Sequence, residues 1–464
     1  MALVPYRPLL LSVMALDFLG AATFKLDLQP ADWSLAPGLV TSAWTYGGTV
    51  PGPMVKVAPG ERVVIEGTNR LPVATNIHWH GLEIPNDQDG PARTIQPGAS
   101  FRYEFTVPGP GTYWFHSHYR PVLEQVDRGL YGAFVIAAPE DAKYSGDDVL
   151  VLDDWYLDAQ GKRLPGSASG MMERLGNHET VNGKTGKAIP ALTWTAGELH
   201  KLRFVNASTA AVHTLSISGH RFRVTHLDGH PLSEPYDADS ITLSPGERID
   251  VEVTATGKPG ETYEMFSGHP ELGLVIPITY RPGSVAPVAS PFIPPKPHGF
   301  EGIEKAGPDY TLELDSGMAG GMMSGGMISG GMMGGGMMQG GMMGQGGMMP
   351  SASMMRWTIN GASYPDTKPL VAKLGRVTKV RLVNKDTRMM HPMDHPIHLH
   401  GTAFQVVSIN GRRPPREMWK DTYNVPAGGY VDIAFRYVNP GDWMLHCHIL
   451  DHEDGGMMTV LKVQ

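Results

Sequence analysis

Cysteine is almost absent: the 464 residues contain one, Cys447. An intrachain disulfide is excluded, and the redox compartment cannot be read from oxidised pairs. Charge is sparse, at 18% of residues, and the formal net charge of −8 leaves no basic field to face a phosphate backbone. A nucleic-acid partner is therefore not expected. Long hydrophobic runs are missing too. Nothing approaches the ~18 consecutive apolar residues of a membrane span, so no membrane span is expected. The run Leu9 to Leu16 has only Arg7 as a cation before it and meets Asp17 after it. It makes a poor signal peptide, and residues 1–19 read as an N-terminal arm.

A sustained 3.6-residue hydrophobic period is lacking as well, and what stands in its place is a threefold repeat. Glu61 to Asn69, Glu198 to Asn206 and Arg376 to Asn384 each follow a Gly turn, run as a strand and end on Asn. Gln96 to Phe105, Ser244 to Val253 and Val425 to Phe435 are Pro/Gly turns feeding alternating strands. Pro110 to His118, Pro259 to His269 and Pro440 to His448 complete the set in the same order each time. Short alternating strands between turn signals predict an all-β chain of three β-sandwich domains, at 20–140, 141–290 and 356–464. Residues 291–355 read as a linker that is first Pro-rich and then unusual. From Gly317 to Met349, 12 Met and 15 Gly fill 27 of 33 positions without a charge, which suits neither helix nor strand and predicts a loop.

Of 19 histidines, ten fall in four clusters: His78 and His80; His116 and His118; His395, His398 and His400; His446, His448 and His452. In a strand, residues i and i+2 face one side, so an H-x-H pair aims two imidazoles at one point. A single pair is as readily two hydrogen-bonded histidines as two ligands, whereas four pairs at repeat-equivalent positions make a multinuclear imidazole site. The middle copy reads Leu215-Ser216-Ile217-Ser218-Gly219 at that position and lacks the ligands. His213, His220, His226, His230 and His269 in that domain are read as structural or surface residues. Cys447, between His446 and His448, faces the opposite way. With His395, His452 and a weak axial Met457 it forms the His2Cys-plus-Met set of a blue-copper electron-transfer site, a donor set whose soft thiolate selects copper. Core packing is the competing role for Met457 and its neighbour Met458.

His78-Trp79-His80-Gly81, His116-Ser117-His118, His395-Pro396-Ile397-His398-Leu399-His400-Gly401 and the His446-Cys447-His448 to Met457 segment resemble the four copper motifs of the multicopper oxidases, and the repeats extend the resemblance over most of the chain. It implies three consecutive cupredoxin-like Greek-key domains, four copper ions and no other cofactor, with O2 reduced to water. By the resemblance His78 and His398 bind the type 2 copper. His80, His116, His118, His400, His446 and His448 hold the type 3 pair, and His395, Cys447, His452 and Met457 the type 1 copper. A single peptide link between Cys447 and either histidine neighbour places the centres about ten ångström apart. Reduction of O2 needs four protons as well as four electrons, so acids near the cluster are required. Glu453 and Asp89 hold the matching motif positions, with Asp87 a rival to Asp89.

The electron donor is read as Cu(I), phenolic compounds or both. Laccases leave the type 1 edge open to phenols and cuprous oxidases cover it with a Met-rich segment, which the insert resembles; an incidental low-complexity linker is the alternative. Thioethers favour Cu(I), and Met389, Met390, Met393 and Asp394 just before His395 form a place for a substrate cation to pause. A role in copper tolerance and an extracytoplasmic address, periplasmic or secreted, follow from the resemblance. A general laccase, a copper-sequestering protein and a nitrite-reducing cupredoxin are the competing readings.

Overall fold

Each of the three repeated strands is anchored by the Asn that ends it. In a computed structural model describing residues 21–166, 174–268, 273–318, 355–387 and 392–464, Asn69, Asn206 and Asn384 are all buried and make the same three bonds. The side-chain amide donates to two carbonyls of neighbouring loops (Val73 and Ile95; Ala211 and Leu243; Met393 and Val425), and the side-chain oxygen accepts the N–H two residues on. One residue type thereby satisfies a buried loop that strand pairing cannot reach.

The strands so ended, Arg62–Thr68, Leu199–Asn206 and Thr378–Asn384, pair antiparallel with Ser100–Thr106, Arg248–Thr254 and Tyr430–Phe435 in one sheet of each sandwich. The third repeat element, Gly111–His116, Thr262–Ser267 and Gly441–Cys447, lies in the facing sheet beside His78–His80, His213–Ile217 and His395–Leu399. The second and third sandwiches each have a six-stranded and a five-stranded sheet. The first has sheets of three and four strands with a two-stranded ribbon, Leu28–Ala36 and Leu39–Tyr46. Neighbouring strands are often far apart in sequence, as Greek-key crossovers require. Each sandwich has its own apolar core, and a further cluster including Val50, Trp114, Trp155, Val205 and Leu450 spans the domain junction.

The only α-helices among the described residues are two five-residue turns, Val122–Val126 and Leu450–Asp454. The Asp454 carboxylate accepts the backbone N–H groups of Val122 and Leu123 at 2.9 Å each. The third domain thus caps the helix of the first, beside His452 and Glu453.

Residues 310–318, expected within the linker, form a strand of the third sandwich instead. Tyr310–Met318 runs parallel to Thr378–Asn384 and antiparallel to Met355–Ile359. Tyr310-Thr311-Leu312-Glu313-Leu314 alternates, with Leu312 and Leu314 buried and Thr311 and Glu313 exposed, a period-two signal eclipsed by the Gly-Met run after it. Met318 and Met355 are register partners, so the insert leaves and rejoins the fold at the end of one hairpin. The remainder of the insert, 319–354, lies outside the described residues, as does the N-terminal arm.

Replacing 319–354 with Asn-Gly, a turn suited to a two-residue hairpin, is expected to leave the thermal midpoint unchanged or raise it by a few degrees, because loop closure becomes cheaper. A fall of ~10 °C in calorimetry would show that the insert is part of the folded core.

Candidate metal centre

The strand pairing that builds the sandwiches also assembles the histidines. His78 is the register partner of His116, and His398 of His446. The intervening residues face away: Trp79 packs on Tyr103 and Phe115, and Leu399 and Cys447 enter the third core. First and third domains then meet ring on ring, His78 on His400 with centroids 3.9 Å apart and His80 on His398 at 3.6 Å. All eight rings are buried.

Hydrogen bonds decide which nitrogen each ring presents. The Nδ1–H groups of His78, His116, His398 and His446 donate to the carbonyls of Asp89, Ser117, Asp421 and Cys447 at 2.9–3.1 Å. His400 Nδ1 donates to Asp89 Oδ2 at 2.9 Å. His80 is reversed: Nε2–H donates to Asp421 Oδ1 at 3.0 Å, turning Nδ1 inward. Nε2 of His78, His116 and His398, Nδ1 of His80 and both nitrogens of His448 are then buried without a protein partner. Nε2 of His446 approaches Nε2 of His400 at 3.0 Å and of His118 at 3.3 Å. Donor atoms of His78, His398 and His400, of His78, His80 and His116, and of His118, His400 and His446 lie within 4.8 Å of one another in each group. Bare inward lone pairs with outward N–H groups tied to oxygen are what metal-binding imidazoles require.

Burial lowers six of these rings: His118 falls to about 3 and His398 to about 4, while His80, His116, His400 and His448 are pushed well below the usual range by burial and neighbouring imidazoles. Burial also lowers His446, but Glu453 outweighs it and the ring rises. Burial would raise Glu453; His446 and His118, 3.2 and 3.4 Å away, outweigh it and bring it to about 2.

On the other face of the same strand, Cys447 Sγ lies 3.4 Å from His452 Nδ1 and 3.8 Å from His395 Nδ1, and the two nitrogens are 3.2 Å apart. Trp357 stacks on His452 at 3.6 Å and stands edge-on to His395. Met457 is fully buried in the same core cluster as Cys447, and its carbonyl accepts the Cys447 N–H at 3.0 Å. Met458 is in register with His446, so alternation sends it to the opposite face and favours Met457 as the thioether beside the thiolate.

Asp89 is buried, with Oδ1 3.3 Å from His78 Nδ1, whereas Asp87 is exposed and bonded to Gln88. Gly90 adopts φ +111°, and a Cβ there would stand 1.8 Å from the Ile77 carbonyl oxygen, so the close approach of Asp89 to His78 needs glycine. Of the candidate substrate residues, Met393 is 9% exposed within the third core and does not offer its thioether to solvent. Its carbonyl is held by Asn384, which draws the segment inward. Asp394 is exposed, but its two oxygens already accept Asn424 Nδ2 and the Ala427 N–H. Met389, Met390 and His269 lie outside the described residues. His213, His220 and His226 bond to Ser208, Tyr280 and Thr225, and none of the middle domain's described histidines joins a metal-sized group.

Two residues escaped the sequence reading. Asp421 sits with His80 and His398 in a further group within 4.8 Å, and Arg248 of the second domain pairs with it in two bonds. The middle copy also has Asp, Asp239, at the repeat position of Asp421, but there it is exposed and paired with Arg221; the repeat alone could not single Asp421 out.

Eight buried imidazoles gathered at one junction, beside a cysteine, two further imidazoles and a thioether, fit copper and define a copper redox protein. Three multicopper oxidase family models match residues 27–141, 146–275 and 341–464. The multicopper oxidase MmcO of Mycobacterium tuberculosis is 32% identical, covering 95% of this chain and 86% of that protein. Laccase-2 of Oryza sativa is 28% identical, with 90% and 88% covered. Among solved structures, a multi-copper oxidase from Pseudomonas thermotolerans (27% identity, TM-score 0.75, 96% of this chain and 100% of that one) and a metallo-oxidase from Campylobacter jejuni (28%, 0.75, 95% and 91%) share the three-domain cupredoxin-like fold. The chain belongs to the multicopper oxidase family and is an oxidoreductase that uses four copper ions.

In the metal-free protein, His213 and His230 are also held at about 4 by burial. Such a ring stays neutral in the folded state while the unfolded chain protonates it near pH ~6.5. The unfolded state therefore binds more protons as pH falls from ~6.5 to ~4, and each such histidine removes up to ~1.4 kcal/mol of stability per pH unit. Urea midpoints of the metal-free protein should fall steadily from pH ~7 to ~4.5; a flat profile would mean that the rings take up protons equally in the folded and unfolded chain.

Proposed function

We propose that this multicopper oxidase takes electrons from Cu(I) at the His395, Cys447, His452 and Met457 set and delivers them to O2 at the eight-histidine cluster. The observation that carries the reading is the place of the Met/Gly-rich insert. Its hairpin ends at Met318 and Met355, and Trp357, two residues past that end, lies flat on His452. Ser316, two residues before it, donates to Asp386, whose carboxylate is 3.4 Å from His395 Nε2. The two strands that bear a thioether-rich segment thus reach the two imidazoles of the thiolate site, one directly through Trp357 and one through Ser316 and Asp386, and soft thioethers suit a soft monovalent cation.

His78 and His398 would hold the type 2 copper, the other six clustered histidines the type 3 pair. The copper ions supply one-electron redox chemistry and a place for O2; everything else falls to the protein. Cys447 joins the two donor sets covalently, since its neighbours on the strand are His446 and His448. Burial excludes water from both sets. Glu453, on His446 and His118, and Asp89, on His78 and His400, are placed to hand on protons as O2 becomes two waters. Copper tolerance and an extracytoplasmic address accompany the Cu(I) reading. The match to a laccase supports phenol oxidation as the second reading.

Oxygen uptake by the copper-loaded protein, measured with Cu(I) and separately with 2,6-dimethoxyphenol, is expected to be faster with Cu(I) and to weaken when 319–354 is replaced by Asn-Gly. Strong phenol turnover indifferent to that replacement would make the protein a general laccase, and no uptake with either donor would leave copper sequestration. Glu453→Gln should lower oxygen reduction ~100-fold, the usual worth of a positioned acid, while the visible thiolate–copper band persists. Undiminished uptake would remove Glu453 from the proton route.

A further inference from the structure

We propose that Arg248, on the ligand-free second domain, is a positioning residue for the oxygen-reducing cluster and acts through Asp421 on His80 and His398. The inference rests on the assignment of those histidines to copper.

Arg248 has no exposed surface, and each of its five N–H groups has an acceptor. Nε donates to the Thr112 carbonyl at 3.2 Å. Nη1 donates to Asp421 Oδ1 at 2.7 Å and to the Gly246 carbonyl at 3.0 Å. Nη2 donates to Asp421 Oδ2 at 2.5 Å and to the Asp228 carbonyl at 3.1 Å. These acceptors come from all three domains, so one guanidinium fixes the junction and presents a two-pronged grip to a single carboxylate.

The second domain also holds Asp421 from behind. Asp228 Oδ2 accepts the backbone N–H groups of Asp421 and Thr422 at 3.2 and 3.1 Å, and Lys420 Nζ binds Asp228 and Glu247 at 3.1 and 3.0 Å. Asp421 so fixed makes two contacts that face the cluster. Its Oδ1 accepts from His80 Nε2, the bond that reverses this ring, and its carbonyl accepts from His398 Nδ1. The stacked pair His80 and His398 is therefore aimed by one residue, which the second domain grips at carboxylate and amide. A second wall comes from the same turn: Gly246, at φ +85°, packs so closely that a Cβ would lie 2.8 Å from ring carbons of His448.

If Arg248 only glued domains together, its loss would lower stability and leave the cluster alone. Lysine keeps the charge but lacks the fork, so it cannot hold both Asp421 oxygens and three carbonyls at once. The test compares copper-loaded wild type with Arg248→Lys, Arg248→Met and Asp421→Asn, reading copper per chain, the visible thiolate–copper band, the near-ultraviolet and paramagnetic signals of the remaining copper, and oxygen uptake. The expected result is an intact visible band, fewer than four coppers per chain with altered cluster signals, and uptake at least ~10-fold lower, as for other partners of metal-bound histidines. The Arg248→Lys/Asp421→Asn double variant should be little worse than either single one, as for residues in one chain of contacts. Folded variants that melt earlier yet keep four coppers with wild-type spectra would overturn the proposal. Should Arg248→Met not fold, the Lys and Asn variants decide alone. A wild type that does not take up four coppers would instead overturn the functional reading beneath it.

Discussion

An imidazole shut away from water must find a partner for each ring nitrogen, and eight of them share one junction here. Leaving so many polar atoms unmatched would cost far more than a fold of this size can spare. His78, His80, His116, His398, His400 and His446 meet the condition on the outer side with protein oxygen, whereas both nitrogens of His448 lack a protein partner. The outer partners are largely backbone carbonyls, of Cys447 on a histidine-bearing strand and of Asp89, Ser117 and Asp421 in the segments between strands, so the course of the backbone aims the donors. The inward lone pairs have no protein solution, which makes the metal-free cluster a region of stored cost and the metal-loaded one a clamp between the first and third domains.

The carboxylates around the cluster fall into two kinds. Asp421 is gripped by a guanidinium, and although burial alone would raise it, Arg248 outweighs burial and holds it well below the ordinary carboxylate range. A group so committed orients rings and carries no proton. Asp89 and Glu453 have no Arg or Lys partner among the described ion pairs and touch only imidazoles. Their charge is answered by the imidazoles of the cluster itself. A carboxylate gripped by a guanidinium on one side and carboxylates met only by imidazoles on the other is a division set by where cations of the protein reach.

The sequence made the architecture legible wherever a pattern repeated: the strand-ending Asn residues and the H-x-H pairs have direct structural counterparts. It misled where one signal masked another, as in Tyr310–Met318, whose alternation runs straight into glycine and methionine. It was silent on Arg248 and Asp421 because neither stands in a motif. Their proximity arises from packing three domains against one another, which local periodicity does not encode. Met393 shows the remaining weakness. Its place just before His395 suggested a stop for a substrate cation, but the side chain is buried in the third core and Asn384 donates to its carbonyl.

The thiolate site depends on the same economy of contacts. Trp357 covers one imidazole with its face and the other with its edge, and Asp386 reaches His395 from beneath, held in turn by Ser316. Trp357 and Ser316 lie on the two strands of the hairpin that bears the insert, so any force or ligand acting at the hairpin's end is two residues from a contact with each imidazole. The insert is borne by this hairpin, whose strands supply Trp357 against His452 and Ser316 against Asp386, so the contacts of the thiolate site and the attachment of the insert belong to one pair of strands.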